Sequence, residues 1–175
     1  VSPYSVAAAL SMTRVGAAGA TAIEMDAVLH ADLVEDLPAA FGSLDAELAT
    51  RPGEFPGPND GDPLVLELSF ANALWPQSGF PFEDAFLETL ARHYGAGVNV
   101  VDYVDDTEGA REEINGWVAE QTRDRVPDLL AEGVLSAMTR LVLTNALYLN
   151  APWQTPFEED ATDDGDFTLL DSTTV

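Results

Sequence analysis

Two stretches far apart in the chain carry one pattern, Phe70-Ala71-Asn72-Ala73-Leu74-Trp75 and Leu143-Thr144-Asn145-Ala146-Leu147-Tyr148. Each sits in a longer run of period-two alternation, from Leu64 to Trp75 and from Leu141 to Leu149, which predicts two long strands. One face of the first strand carries Leu66, Leu68, Phe70, Asn72 and Leu74; one face of the second carries Leu141, Leu143, Asn145, Leu147 and Leu149. A lone amide among large apolar side chains goes under whatever layer covers them, and burying it unpaired costs about 1–3 kcal/mol. Each asparagine is therefore expected to find a hydrogen-bonding partner. Ser2 and Ser5, at the start of an apolar helix, are the expected ones. The alternative for Asn145 is a strand edge or bulge, with the amide facing solvent.

The rest of the chain supplies layers to cover such strands. Ser2 suits a helix N-cap and Pro3 the first helical position, and the helix that follows is apolar nearly all round up to Gly16, which predicts a buried helix. Thr21-Ala22-Ile23-Glu24 has capping-box spacing and predicts a second helix through Leu29. Phe41, Leu44 and Leu48 mark a third, from about Leu37 to Leu48. The Pro- and Gly-rich stretch from Arg51 to Pro63 reads as an exposed loop. Phe82 to Tyr94 is helical with Phe82, Phe86, Leu87 and Leu90 inward, ended by Gly95 and Gly97; Val98 to Tyr103 is a further strand. Thr107 caps a helix whose inner face is Ile114, Trp117 and Val118, and Pro127 to Met138 is an irregular return segment. After an acidic loop from Glu158 to Gly165, Phe167 to Leu170 starts another strand. Interspersed helices and strands without strict alternation predict an α+β fold with a largely antiparallel central sheet.

Charge narrows the partners. Thirty-one acidic residues against seven basic ones give a formal charge of -24, and all seven are Arg. Such a chain repels phosphate backbones and anionic lipid, so neither nucleic acid nor a membrane is expected as a partner. The self-repulsion is relieved when salt screens it, which points to a high-salt environment; an acidic protein with a basic partner is the alternative. The absence of Cys excludes disulfides, thiolate nucleophiles and thiolate metal sites. No run approaches the roughly 18 apolar residues of a spanning helix.

Enzyme readings find little support. His30 and His93 stand in no HExxH motif, and neither a GxSxG turn nor a Gly-rich phosphate loop is present. Asp160, Thr162, Asp164, Gly165 and Asp171 loosely echo a calcium loop, but the third position is Thr and the twelfth is Asp. No metal and no cofactor is expected. Trp117 and Trp153 read as core or interface anchors rather than a ligand pocket.

Several motifs in order resemble the serpin family of protease inhibitors. Ser2-Pro3-x-Ser5, Ala9-Leu10-x-Met12 and Gly16-Ala17-x-Gly19-x-Thr21 resemble the family's second helix and the start of its third. Ile114-Asn115-x-Trp117-Val118-x-x-x-Thr122, leading to Leu129-Leu130, is similar to the family's helix F and its return. Arg140 to Tyr148, then Trp153-x-x-Pro156-Phe157, resembles the third strand of its large sheet, and Gly165-Asp166-Phe167 runs into Thr173-Thr174-Val175 as the next segment does. The resemblance implies one partial serpin domain over residues 1–175, with N-terminal helices packed on three strands of the large sheet. It implies a shutter of Ser2, Ser5 and Asn145 beneath that sheet, and Trp153 at the breach where its top opens. The family's activity is inhibitory rather than catalytic: a target serine or cysteine protease cleaves an exposed reactive loop, which then enters the sheet as a new strand. That loop and the strands beyond the seam are expected C-terminal to Val175, and the first helix before Val1. A monomer acting outside the cell is the implied setting, with the cytoplasm as the alternative. A non-inhibitory serpin-fold carrier or chaperone is the rival reading, and poor solubility or a partly open core is expected of the isolated piece.

Overall fold

The computed structural model describes residues 2–57, 62–153, 155, 157, 163 and 165–174. In chain order the elements are α1 (Pro3–Val15), α2 (Gly19–Leu29), a short 3-10 turn (Ala31–Leu33), α3 (Leu37–Leu48), β1 (Gly53–Phe55), β2 (Leu64–Pro76), α4 (Asp84–Tyr94), β3 (Gly97–Val98), α5 (Thr107–Gln121) and β4 (Leu141–Asn150).

The two long strands predicted from the repeated pattern pair directly. β4 runs antiparallel to β2, in register from Glu67 opposite Asn150 to Pro76 opposite Leu141, and this register sets Asn72 opposite Asn145. β3 pairs parallel with β2 at Ala73 and Leu74, so it lies on the side of β2 away from β4. β1 pairs antiparallel with the first residues of β2, Leu64 to Leu66. The fold is the expected α+β arrangement, largely antiparallel with one parallel pair.

Alternation along the strands separates two cores. On one face Leu74, Leu141 and Leu143 pack with Met12 of α1, Phe41 of α3, and Leu90 and Tyr94 of α4. On the other, Ala73, Trp75 and Val142 pack under Ala110, Ile114 and Trp117 of α5, joined by Val101, Tyr103, Leu130 and Leu135.

Local expectations fail where a nearer interaction wins. α1 is capped as expected, with the Ser5 N–H donating to Ser2 Oγ at 3.2 Å. It buries only the stripe of Ala8, Ser11 and Met12, however; Val6 and Leu10 are 49% and 38% exposed, because the described elements cover α1 on one side only. The capping box at Thr21 does not form: α2 begins earlier, at Gly19, with Ala18 at the cap and Thr21 already inside the helix. Leu44 is exposed on α3. The Pro/Gly-rich stretch contains the strand β1, because Gly53 to Phe55 can pair with the start of β2; residues 58–61 of that stretch lie outside the described residues. α4 starts at Asp84, leaving Phe82 ahead of it against Phe80. The strand expected from Val98 to Tyr103 is reduced to β3 and a single bridge between Gln77 and Val101. Asp106, not Thr107, caps α5: its carboxylate accepts from the Gly109 N–H at 2.9 Å, while Thr107 Oγ1 is taken up by donating to the Tyr103 carbonyl. Residues 167–170 form no strand; Thr168 makes an isolated bridge to Thr174.

Candidate functional site

The site grows from the end of α4. Gly95, at φ 56°, turns the chain in the left-handed region and ends the helix. The last carbonyls of a helix have no partner within it, and that of Tyr94 is one of these. Asn72 Nδ2 on β2 donates to it at 2.9 Å. Asn72 Oδ1 in turn accepts from Asn145 Nδ2 on β4 at 2.7 Å, across the rung that the strand register creates. Asn145 Oδ1 is buried and has no partner among the described residues. Asn72 is thus buried, and Asn145 is half-buried with its Oδ1 shielded from solvent.

The partners differ from those expected. Ser2 and Ser5 make no hydrogen bond to Asn145 among the described residues, because Ser2 Oγ is engaged in capping α1. A helix N-terminus offers unpaired N–H groups close at hand, and a serine satisfies those before a distant amide. α1 instead reaches the asparagine pair through Ser11, which is fully buried and hydrogen-bonded to the Tyr94 hydroxyl. Burial raises the Tyr94 hydroxyl above the ordinary tyrosine value, so it stays protonated. Tyr4 lies edge-on to Phe70 at 5.1 Å and donates to Asp45, whose carboxyl burial pushes up. A cleft of about 880 Å³ opens beside these groups, between α3, the end of α4 and β2, with Leu68, Phe70, Asn72 and Tyr94 among its walls.

The opposite face of the ladder is closed. Trp75 Nε1 donates to Thr144 Oγ1 at 3.0 Å, and the Tyr103 hydroxyl donates to the Trp75 carbonyl at 2.8 Å. Asn115 on α5 holds Leu130 by both backbone groups, at 2.8 and 2.9 Å, which pins the return segment to the helix. Trp117 stacks edge-on against Trp75 at 5.8 Å and is a core anchor, as expected. At the far end of the ladder Arg123, just past α5, pairs with Glu67 at 2.6 Å and lies over the Tyr148 ring. Glu67 is held below the usual glutamate range first by the Asn150 side chain and then by Arg123.

Trp153 lies beyond the end of β4 and is 72% exposed. Of the calcium-like loop, Asp160, Thr162 and Asp164 fall outside the described residues, and Asp171 accepts from the Thr173 N–H at 3.0 Å. No group of three or more His, Asp or Glu side chains is placed to hold a metal among the described residues, and no helix is long and apolar enough to cross a membrane. His93 lines the cleft, with no hydrogen bond to a serine or carboxylate among the described residues. Sequence reasoning missed the linking part played by Asn72, although the repeated Asn-Ala-Leu pattern had marked it. It also missed the part played by Asn115, which it had noted only within the motif around Trp117, and by Arg123, which carries no sequence signal.

Comparison with known proteins gives the same picture over the whole chain. The family model described as serpin (serine protease inhibitor) matches residues 1–175. Leukocyte elastase inhibitor A of Mus musculus is 38% identical over 168 residues, covering 96% of this chain and 41% of its own length. The leukocyte elastase inhibitor of Sus scrofa is 38% identical over 177 residues, covering 100% of this chain and 44% of its own. Among solved structures, an Arabidopsis serpin in its native stressed conformation matches with a TM-score of 0.80 at 29% identity, over 99% of this chain and 42% of that one. Ovalbumin from the emu Dromaius novaehollandiae matches with a TM-score of 0.83 at 25% identity, over 99% of this chain and 46% of that one. The chain thus spans less than half the length of these relatives, and within that span its helices, its sheet and its whole sequence match one family: the chain belongs to the serpins.

Proposed function

We infer that this chain is the scaffold part of a serine protease inhibitor that traps its target by taking a cleaved loop into the central sheet beside β4. One observation carries the reading. Among the described residues β4 pairs with β2 alone, and on that same strand Asn145 keeps a buried carbonyl oxygen without a partner. A strand laid along β4 would gain a ladder of backbone hydrogen bonds, each worth about 1 kcal/mol net, and could offer that oxygen a donor. The asparagine pair can exchange one partner for another without rebuilding a packed apolar layer, which suits a seam that must part.

In this reading Asn145 works with Asn72 as the shutter. Ser2 and Ser5 form the head of the helix that lies beneath it, and Trp153 stands at the breach. The function is inhibition rather than catalysis, and the partner is a serine or cysteine protease. Extracellular action in high salt, with the cytoplasm as the alternative, rests on the family and on the charge of -24. The test is to mix the whole inhibitor carrying this chain with a panel of serine proteases in high salt. A covalent complex that survives denaturant is expected. Reversible binding or simple cleavage with every protease would reject inhibition and leave a non-inhibitory member of the family.

A further inference from the structure

The chain leaves α5 through a strained turn. Thr122, the buried cap, donates through Oγ1 to the Val118 carbonyl at 2.8 Å and accepts from the Val126 N–H at 3.1 Å. Between those two bonds Arg123 and Asp124 stand at φ 51° and 58°, two successive residues in the left-handed region, neither of them Gly. One such residue commonly ends a helix, as His30 does after α2. Two in a row are costly, because each Cβ is pressed toward a carbonyl oxygen. The turn is nevertheless closed, with the Asp124 N–H donating to the Ala119 carbonyl at 2.8 Å and the Arg125 N–H to that of Thr122 at 3.1 Å.

The side chain of Arg123 supplies a hold from outside the turn. Its guanidinium lies 2.6 Å from Glu67 Oε1 on β2 and 5.2 Å over the Tyr148 ring on β4. Glu67 Oε2 in turn accepts from Asn150 Nδ2 of β4 at 3.1 Å. These groups meet through one register, which sets Glu67 opposite Asn150 and Ser69 opposite Tyr148. The apolar hold of α5 on the sheet comes from Ala110, Ile114 and Trp117, all more than a turn before Arg123. Asp124 shares the backbone strain, but its side chain takes no part in the cluster.

We propose that the end of α5 is a sprung latch that reads the β2–β4 register: Arg123, gripped by Glu67 and Tyr148 together, keeps residues 123–124 in their strained turn, and a shift of β4 against β2 releases the turn and the start of the return segment. The device stands apart from any strand entering the sheet, because both strands it reads already pair with each other.

The test is amide exchange at Val126, followed in the whole inhibitor carrying this chain with no protease present. Its N–H closes the turn and is not a neighbour of either strained residue. Two glycine substitutions separate spring from latch, since each removes one left-handed penalty and only one removes the grip. Asp124→Gly should slow the exchange about threefold. Arg123→Gly should speed it about fivefold, and Glu67→Gln should act in the same direction. Tyr148→Leu, which leaves the ion pair in place, should speed it about threefold. Glu67→Gln added to Arg123→Gly should bring no further change, because the two residues act as one. Slower exchange in Arg123→Gly would show that no latch exists, and unchanged or faster exchange in Asp124→Gly would remove the spring. Wild-type exchange in Tyr148→Leu, or additive effects of the Arg123 and Glu67 substitutions, would equally overturn a latch that joins both strands.

Discussion

On the α5 side of the β2–β4 ladder the buried polar groups are matched pair by pair: Trp75 with Thr144, Tyr103 with the Trp75 carbonyl, Asn115 with both backbone groups of Leu130. On the α1 side a string of hydrogen bonds runs from Ser11 through Tyr94 and Asn72 to Asn145, whose Oδ1 has no partner among the described residues. The same two strands supply both faces, so strand propensity does not account for the contrast. α5 and its return segment complete the first face within residues 103–142, whereas α1, α3 and α4 cover the second, with Val6 and Leu10 of α1 exposed. A satisfied face resists change, and a face with an unpaired acceptor can gain from a new neighbour.

The contrast can be broken most forcefully on the closed side. Ile114→Ala opens a cavity in a fully buried site and should cost about 2–5 kcal/mol in denaturant unfolding; a cost below that would mean the α5 face is looser than described. Next comes a matched pair of amide removals. Asn115→Leu strands the Leu130 N–H, while the Leu130 carbonyl keeps its bond from Arg111, and should cost about 1–3 kcal/mol. Asn145→Leu leaves only Asn72 Oδ1 without its donor while removing an oxygen that had none, so it should cost about 1 kcal/mol or less by the same measurement. Equal costs for the two would erase the difference between the faces.

The smallest effect is expected at Arg123, which joins the end of α5 to Glu67 and Tyr148 near the rim. Arg123→Ala should lower the thermal midpoint slightly, and the sign of its pH dependence follows from Glu67. That carboxyl lies below its unfolded value, so its contribution is present above the ordinary glutamate range and is lost as pH falls through the lowered folded value. The gap between wild type and variant should therefore be widest near neutral pH and close in acid. Thermal scans at several pH values check this; a gap that widens in acid would exclude the ion pair as its source.

What could be read from the sequence depended on range. The two strands, their amide-bearing faces and the burial of Asn72 followed from alternation and from the cost of a lone buried amide. The rung that pairs Asn72 with Asn145 did not, because register depends on where two distant strands meet. Ser2 was legible as the cap of its own helix, but the sequence could not show that the Tyr94 carbonyl would anchor the asparagine pair in its place. At α2 the Thr21–Glu24 spacing was a true pattern in the wrong place, since the cap fell at Ala18, three residues earlier. The apolar circumference of α1 read as burial all round, and the structure covers only one side of it. The motifs that resembled serpins reached further than these local rules, since they carry the order of elements along the chain.

The edge of β4 is where the account meets its most direct test. Amide hydrogen exchange along residues 141–150 can be followed in the whole inhibitor before and after a serine protease has cleaved it. Backbone amides of β4 that do not face β2 should become markedly better protected as the cleaved loop takes its place beside them. Unchanged exchange at those amides after cleavage would contradict strand entry at this seam.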